Sequence, residues 1–471
     1  MALGFLALPV RAHAPPLGAR VLSPAGGGDE VIITNRGLVF RDPASGASRL
    51  LCNEALRITT AELPNVALLG DGGLLVASSS GLRLSRDQGC TWSDVGQMET
   101  TNTPALAADP NDRNSVVVAS YDSDAPGLRL THDAGATWTT IYTTDDIDFV
   151  HSLLVSSVDS ATIYATVASY APGEPPVHSL LRTHDGGTSW QRTTLPLNEK
   201  DYLASVAAVS PTDPATLVVY TVANSPGLDP ARVLVSHDSG DSFGVALERP
   251  EIRGAGYGPD GKLWVAARDG LYGADDDLTA FEQRSVASEL GCVLERAGEL
   301  LVCGHYAGLT AASGIGISAD GGGSFDRWLD FENVDAAVAC PAESLTSALC
   351  AQPWLDWEAE MSGLVPPTAP GAYGPVGTPG ATPGAMPGAG GTPSVAPPPV
   401  DTAPPASTGG ELGADDVGAS ANCTLHTGSP SRAGSRSRAV ALLGLGLFGA
   451  GCLRRLMRPR CGRSTPPPAR I

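Results

Sequence analysis

At 471 residues with 42% apolar side chains, the chain can bury a substantial core, which excludes a small scaffold held together mainly by disulfides. Its 56 glycines, 39 prolines and 5% aromatic residues exclude a predominantly helical protein and favour short strands, frequent turns and an unfolded part. The formal charge is −20, and since residues 429–471 hold nine arginines and no acid, the first 428 carry −29, a field that repels phosphate backbones and argues against nucleic-acid binding.

The chain opens with MALGFLALPVRAHA. Ala2 to Val10 is an apolar run and Ala12-His13-Ala14 is a small-x-small triplet, so residues 1–14 read as a signal peptide, truncated in that no lysine or arginine precedes the run.

Beyond it one grammar recurs. The octapeptides SRDQGCTW (85–92), THDAGATW (131–138), THDGGTSW (183–190), SHDSGDSF (236–243) and SADGGGSF (318–325) repeat the same residue types at fixed offsets. Two weaker copies, GLVFRDPASGASRLLC from Gly37 and GLYGADDDLTAFEQ from Gly270, fill the register, so that Pro43, Asp87, Asp133, Asp185, Asp238, Asp276 and Asp320 correspond at spacings of 38 to 53 residues. A four-stranded propeller blade needs about 40–50 residues. Each unit also reads as four strands, for example PALAADP, SVVVAS, GLRLTHD and TWTTIY, bounded by glycine, proline, aspartate and asparagine. The expected fold is therefore an all-β, seven-bladed propeller of four-stranded antiparallel blades over residues 20–364, including a C-terminal cap.

The octapeptide chemistry suits a turn between the third and fourth strands. Asp87, Asp133, Asp185, Asp238 and Asp320 accept backbone N–H bonds, and Gly89, Gly135, Gly187, Gly240 and Gly322 supply positive φ. Trp92, Trp138, Trp190, Phe243 and Phe325 then pack into the blade, and Trp138→Ala is expected to cost about 3–5 kcal/mol if the ring is buried. His132 beside Asp133 has the look of a catalytic or metal site. Its slot is held by Arg86, His184, His237 and Ala319 in the other copies, which reads as a tolerant, solvent-facing position.

These turns share a face with the first-to-second-strand turns, which directs attention to the opposite face. That face receives the long loops YDSDAPG (121–127), SYAPGEPPVH (169–178), ANSPGLDPA (223–231) and HYAGLTAASG (305–314), and the connections TTDDIDF (143–149) and LNEKDY (197–202). The candidate binding surface is Tyr121, Asp122, Asp124, Asp145, Asp146, Asp148, Tyr170, Glu174, Asp201, Tyr202, His305 and Tyr306, with ordinary solvated loop residues as the plainer reading. Asp145, Asp146 and Asp148 have a spacing that could hold calcium but lack the further ligands of a known loop, so no metal and no cofactor is expected.

Nine cysteines occur without any C-x-x-C or Cys/His ligand spacing, so zinc is not expected. By position the first six divide into Cys52 with Cys90, Cys292 with Cys303 and Cys340 with Cys350, as in an oxidising compartment, although six cysteines allow fifteen pairings. Residues 331–364, with PWLDWEAE, either close the ring on the strand near Val21 to Ser23 or cap the disc.

Residues 365–422 begin VPPTAPGAYGPVGTPGATPGAMPGAGGTPSVAPPP and cannot bury enough apolar area to fold, so they read as an extended stalk. After Cys423 comes the apolar run Ala439 to Leu453, flanked by arginines. As a helix these fifteen residues cover about 22 Å, short of the roughly 30 Å hydrocarbon core, and they read as a short transmembrane helix within a tail over residues 423–463.

The octapeptides match the Asp-box, or BNR, repeat, Ser/Thr-x-Asp-x-Gly-x-Thr/Ser-Trp/Phe, over residues 20–330. That resemblance implies a propeller of the sialidase-like superfamily; the repeat also occurs in sortilin-type receptors, photosystem assembly factor-like propellers and xyloglucan-degrading glycosidases, so it implies little about activity. Sialidases carry an Arg-Ile-Pro motif and an arginine triad. No Arg-Ile-Pro occurs here, and Arg36 and Arg41 in NRGLVFRD alternate with apolar residues as strand surface positions do. The tail from Cys423 to Arg463 resembles the C-terminal sorting tails of myxobacterial surface proteins, which implies processing at Cys423.

The reading that follows is an exported, monomeric propeller, membrane-anchored through its C-terminal helix at the cell envelope or surface, that binds a protein or polysaccharide without catalysis. A secreted sialidase-like glycoside hydrolase and an envelope assembly factor are the alternatives.

Overall fold

The computed structural model describes residues 18–23, 28–58, 63–95, 98, 103–121, 126–145, 148–226, 228–287, 289–305 and 313–362. Seven antiparallel sheets follow one another along the chain as propeller blades, each a four-stranded meander. Blade 1 holds β1 (Gly18–Leu22), β2 (Glu30–Thr34), β3 (Gly37–Arg41) and β4 (Ser48–Cys52), and blade 2 holds β5 (Asn65–Leu68), β6 (Leu74–Ser78), β7 (Gly81–Ser85) and β8 (Ser93–Asp94). Blade 3 holds β9 (Leu106–Ala108), β10 (Val116–Ser120), β11 (Gly127–Thr131) and β12 (Thr139–Thr143), and blade 4 holds β13 (Asp148–Val155), β14 (Ile163–Ser169), β15 (Val177–Thr183) and β16 (Gln191–Thr194). Blade 5 holds β17 (Asp201–Val209), β18 (Leu217–Ala223), β19 (Pro230–Ser236) and β20 (Gly244–Pro250), and blade 6 holds β21 (Ile252–Tyr257), β22 (Leu263–Ala267), β23 (Gly270–Ala274) and β24 (Glu282–Ser285). Blade 7 holds β25 (Leu290–Arg296), β26 (Glu299–His305), β27 (Ser313–Ser318) and β28 (Asp326–Asp330).

The first strands of successive blades lie side by side around the axis. The second strands read as unbroken apolar runs, such as VVVAS and LWVAA, because each is covered on both faces by neighbouring blades. The fourth strands QRTT and EQRS are polar and largely exposed at the rim. The core is accordingly divided among the blade interfaces: Val219, Leu217 and Tyr164 pack between blades 4 and 5, and Tyr220, Val233 and Val265 between blades 5 and 6.

All five octapeptides form the same turn. In the second copy Thr131 Oγ1 donates to Asp133 Oδ1 (2.8 Å) and accepts from Gly135 N–H (3.0 Å), while Asp133 accepts from Thr137 N–H (2.8 Å) and Thr137 Oγ1 (2.6 Å). Equivalent bonds surround Asp87, Asp185, Asp238 and Asp320. In four of the five copies the glycine is required twice over, while at Gly135 only the φ of +88° requires it. Gly187 has φ +92°, and a Cβ there would lie 2.6 Å from Ile141 Cβ of the preceding blade; Gly89 and Gly240 approach Leu51 and Leu180 as closely. Each turn is thus a latch onto the blade before it, and Trp190 Nε1 donates to Ile141 O (2.8 Å) to the same effect. Of the five rings only Phe325 is fully buried; Trp92, Trp138, Trp190 and Phe243 are half-buried, so the full-burial cost expected for Trp138→Ala does not apply. In the first blade the turn is built differently, with Asp42 rather than Pro43 at its centre, accepting from Ala44 N–H (2.7 Å) and Ser45 N–H (3.3 Å).

The histidine slot is exposed but not indifferent. His132, His184 and His237 each place Nδ1 against a hydroxyl just ahead of the second strand, namely Ser115 (2.5 Å), Thr162 (3.1 Å) and Thr216 (3.0 Å), and Arg86 pairs with Asp71 instead. The slot ties the third-to-fourth-strand turn to the first-to-second-strand turn of its own blade.

After blade 7 the chain returns to blade 1. Strand β29 (Ala336–Ala337) runs parallel to β4 on its outer edge, not against the N-terminal strand, and helix α1 (Leu345–Ser362) follows. Asp335 N–H donates to Ser48 O (3.1 Å), Val338 N–H to Leu50 O (2.9 Å), and buried Trp357 donates to Phe331 O (3.1 Å). This return corrects the disulfide assignment: Cys350 bonds Cys52 and Cys340 bonds Cys90, with only Cys292 to Cys303 as expected. Proximity along the sequence misleads here because the strap lies on the outer edge of the first blade, beside the octapeptide turn of the second. The stalk, Cys423 and the apolar run 439–453 lie outside the described residues, as does the signal-peptide segment; among the described residues no helix is long and apolar enough to cross a membrane.

Candidate functional site

The second-to-third-strand loops and the blade-to-blade connections meet on one face. Thr144 N–H donates to Pro126 O (3.0 Å), Leu195 N–H to His178 O (2.9 Å) and Asn224 N–H to Lys200 O (2.7 Å), each bond joining one loop class to the other. The octapeptides sit on the opposite face, where Ala134 N–H donates to Asn114 O (2.9 Å) and Gly186 N–H to Ala161 O (2.9 Å).

Several sequence-predicted site residues turn out to be framework. Asp148 is buried and accepts from Arg192 Nη1 (2.9 Å), Arg192 Nη2 (3.2 Å) and Ser169 Oγ (2.6 Å), so it is not available to a cation. Asp201 is equally buried, accepting from Asn198 N–H (2.8 Å) and from both Nε and Nη2 of Arg232. Tyr121 stacks on Phe149 with ring centroids 5.0 Å apart, and its hydroxyl accepts the Val150 N–H. These contacts fix the starts of the inner strands β13 and β17.

The remaining candidates face solvent. Tyr170 is 46% exposed on the loop after β14, Tyr202 is half-buried at the start of β17, and burial first, then the neighbouring Tyr202, raises the Tyr170 phenol. Asp145 and Glu174 are exposed on separate loops. Asp122, Asp124, Asp146 and Tyr306 lie outside the described residues; His305 closes β26, and its side chain is outside them too.

A row of rings that sequence reasoning missed continues inward from the Tyr121–Phe149 stack. His151 stands between Phe149 (5.1 Å) and His178 (6.4 Å), is 7% exposed, and its Nε2 has no hydrogen-bond partner among the described residues. Burial, and then the His178 imidazole, push His151 down to about 4. The only signal in the sequence was the closeness of Phe149 and His151 in DFVHS; the register shift between Val150 and Ser152 breaks the strict alternation there. Arg36 and Arg41, which lie where a sialidase-type motif would begin, are engaged elsewhere: Arg36 with Glu360 (2.7 Å) of α1, and Arg41 with Glu30 (3.4 Å) and over Trp328 (4.3 Å).

A second concavity opens on the octapeptide side. It has a volume of about 440 Å³ and lies between the first strands of blades 1, 2, 3, 4 and 7, with Arg20, Arg113 and Arg296 among its walls. Among the described residues no group of histidine, cysteine and carboxylate side chains is arranged to hold a metal ion.

No family model matches this chain, and no curated protein does either. Solved structures do. An ancestral GH74 enzyme is 16% identical over 67% of this chain and 45% of its own, with a TM-score of 0.45. The extracellular domain assigned to a hybrid two-component system of B. thetaiotaomicron is 14% identical over 64% of this chain and 38% of its own, with a TM-score of 0.46. YCF48 bound to a D1 peptide is 15% identical over 56% of this chain and 79% of its own, with a TM-score of 0.37. The chain spans less than half the length of the first two. The architecture is a seven-bladed propeller, and the three disulfides among the described residues are those expected of a protein exported to an oxidising compartment.

Proposed function

We propose that this is a non-catalytic binding protein, an Asp-box propeller displayed at the cell surface on a stalk and a membrane-anchoring sorting tail, that engages a protein or polysaccharide through the loop face. The observation that carries the reading is the placement of Tyr170, exposed to solvent, and the half-buried Tyr202 that influences it electrostatically, on a framework locked by the Asp148–Arg192 and Asp201–Arg232 pairs. Rigidly mounted aromatic rings with a polar tip are efficient anchors, since they bury large area at little entropic cost. The same two ion pairs favour binding over hydrolysis, because they hold two of the loop-face carboxylates in arginine contacts rather than presenting them as an acid and a base.

The test is retention of the full chain on immobilised polysaccharides and on intact cells. Tyr170→Ala combined with Tyr202→Ala is expected to weaken retention about tenfold or more. Unchanged retention in that variant, or release of reducing sugar by the wild-type chain, overturns the reading.

A further inference from the structure

We infer that the central channel binds an organic anion, an acidic group on an apolar body, held by Arg20 and entered from the octapeptide face. Arg20 lies midway along β1 and its side chain is exposed to the channel, where it forms part of the wall of the 440 Å³ cavity. The surrounding blades desolvate it even though its surface opens to the channel, which lowers its affinity for the proton, with the Tyr220 phenol acting in the other direction. A guanidinium stays charged in any such setting.

What sets Arg20 apart is the lack of a counter-ion. Four buried arginines of other blades meet carboxylates: Arg83 with Asp94, Arg182 with Asp241, Arg232 with Asp201, and Arg253 with Glu251 and Glu289. Among the described residues Arg20 meets none, although the chain has 50 acids against 30 basic residues. A partly desolvated, unpaired charge in a channel is unfavourable, and an anion brought by a ligand is what offsets it.

The cavity supplies the rest. Arg113, on the first-to-second-strand turn of blade 3, lines the same space and has no hydrogen bond or ion pair among the described residues. Arg296 lines it as well, with its Nη1 given to Glu30 and to Ser23 Oγ (2.6 Å). Asp109 is the single acidic residue in the lining, and its Oδ1 already accepts Asn111 N–H (2.8 Å). Between these charges the walls are apolar, including Leu68, Leu106, Leu153 and Val155. Low-dielectric walls focus the field of the arginines, so a locally positive pocket persists inside an acidic protein. An apolar concavity with a few convergent polar groups is the usual form of a small-molecule site.

Calorimetric titration of the full chain with octanoate, octanol and sodium sulfate separates the components. Octanoate is expected to bind one per chain, more tightly than sulfate, with no measurable binding of octanol. Arg20→Met should weaken octanoate about tenfold or more, Arg113→Gln less, and Arg20→Lys should retain part of the affinity. Because Arg20 has no partner to lose, Arg20→Met should melt no lower than the wild type. Octanoate binding that survives Arg20→Met, sulfate binding as tight as octanoate, or a marked fall in the melting temperature of Arg20→Met each overturns the proposal.

Discussion

Asp133, Asp185, Asp238 and Asp320 are each held at about 2, first by the Thr or Ser hydroxyl four residues on, then by the backbone N–H of the same residue. A carboxylate whose folded value lies below its unfolded one contributes stability above about pH 4 and loses it as the pH falls toward 2. Thermal melts should therefore steepen in their pH dependence over that window, and Thr137→Ala should shift the onset for its own copy upward. His151 acts in a different window. Its folded value of about 4 lies below the ordinary histidine value, so between about pH 6.5 and 4 the unfolded chain takes up a proton that the folded chain refuses. Stability is lost as the pH falls through that range, by roughly 2–3 kcal/mol in all. His151→Phe should flatten the melting temperature between pH 7 and 4; an unchanged slope would show that the histidine is not enclosed.

At the scale of the element, the octapeptide provides a paired test in adjacent glycines. Gly186 and Gly187 both have positive φ, yet a Cβ on Gly186 meets nothing within 4 Å while one on Gly187 runs into Ile141. Gly186→Ala should cost about 1 kcal/mol and Gly187→Ala at least twice that, read from denaturant midpoints. Trp190→Ala should cost about 2–3 kcal/mol, less than for a fully buried ring, through lost packing and the lost bond to Ile141. The octapeptide was legible in the sequence because everything that defines it lies within eight residues and recurs. The roles of Asp148 and Asp201 were not, because their partners Arg192 and Arg232 stand 44 and 31 residues away in strands whose side-chain contacts no local pattern specifies. On a loop rich in acids, a structural carboxylate and a binding one look alike.

The same contrast holds for the whole molecule. Blade count and strand order followed from repeat spacing, whereas ring closure depends on contacts between residues 298 and 250 positions apart, which spacing cannot disclose. Those two disulfides restrict the unfolded chain strongly, on the order of 5 kcal/mol for the first by chain entropy and somewhat less for the second, nested inside it. Cys52→Ser with Cys350→Ser should lower the melting temperature by several degrees, and loss of the Cys90–Cys340 bond in addition should make proteolysis at the blade 7 to blade 1 boundary the earliest event.

The strap also sets how the domain carries mechanical load. Tension applied to the chain beyond Ser362 can unwind α1 only as far back as Cys350, where the pull passes through a covalent bond into the outer strand of blade 1. A second bond hands it to blade 2 through Cys90. The β-ladders are then loaded across several blades at once instead of being peeled from one edge, so under oxidising conditions the propeller should resist extension by its own C-terminal chain, and under reducing conditions it should unravel from blade 7.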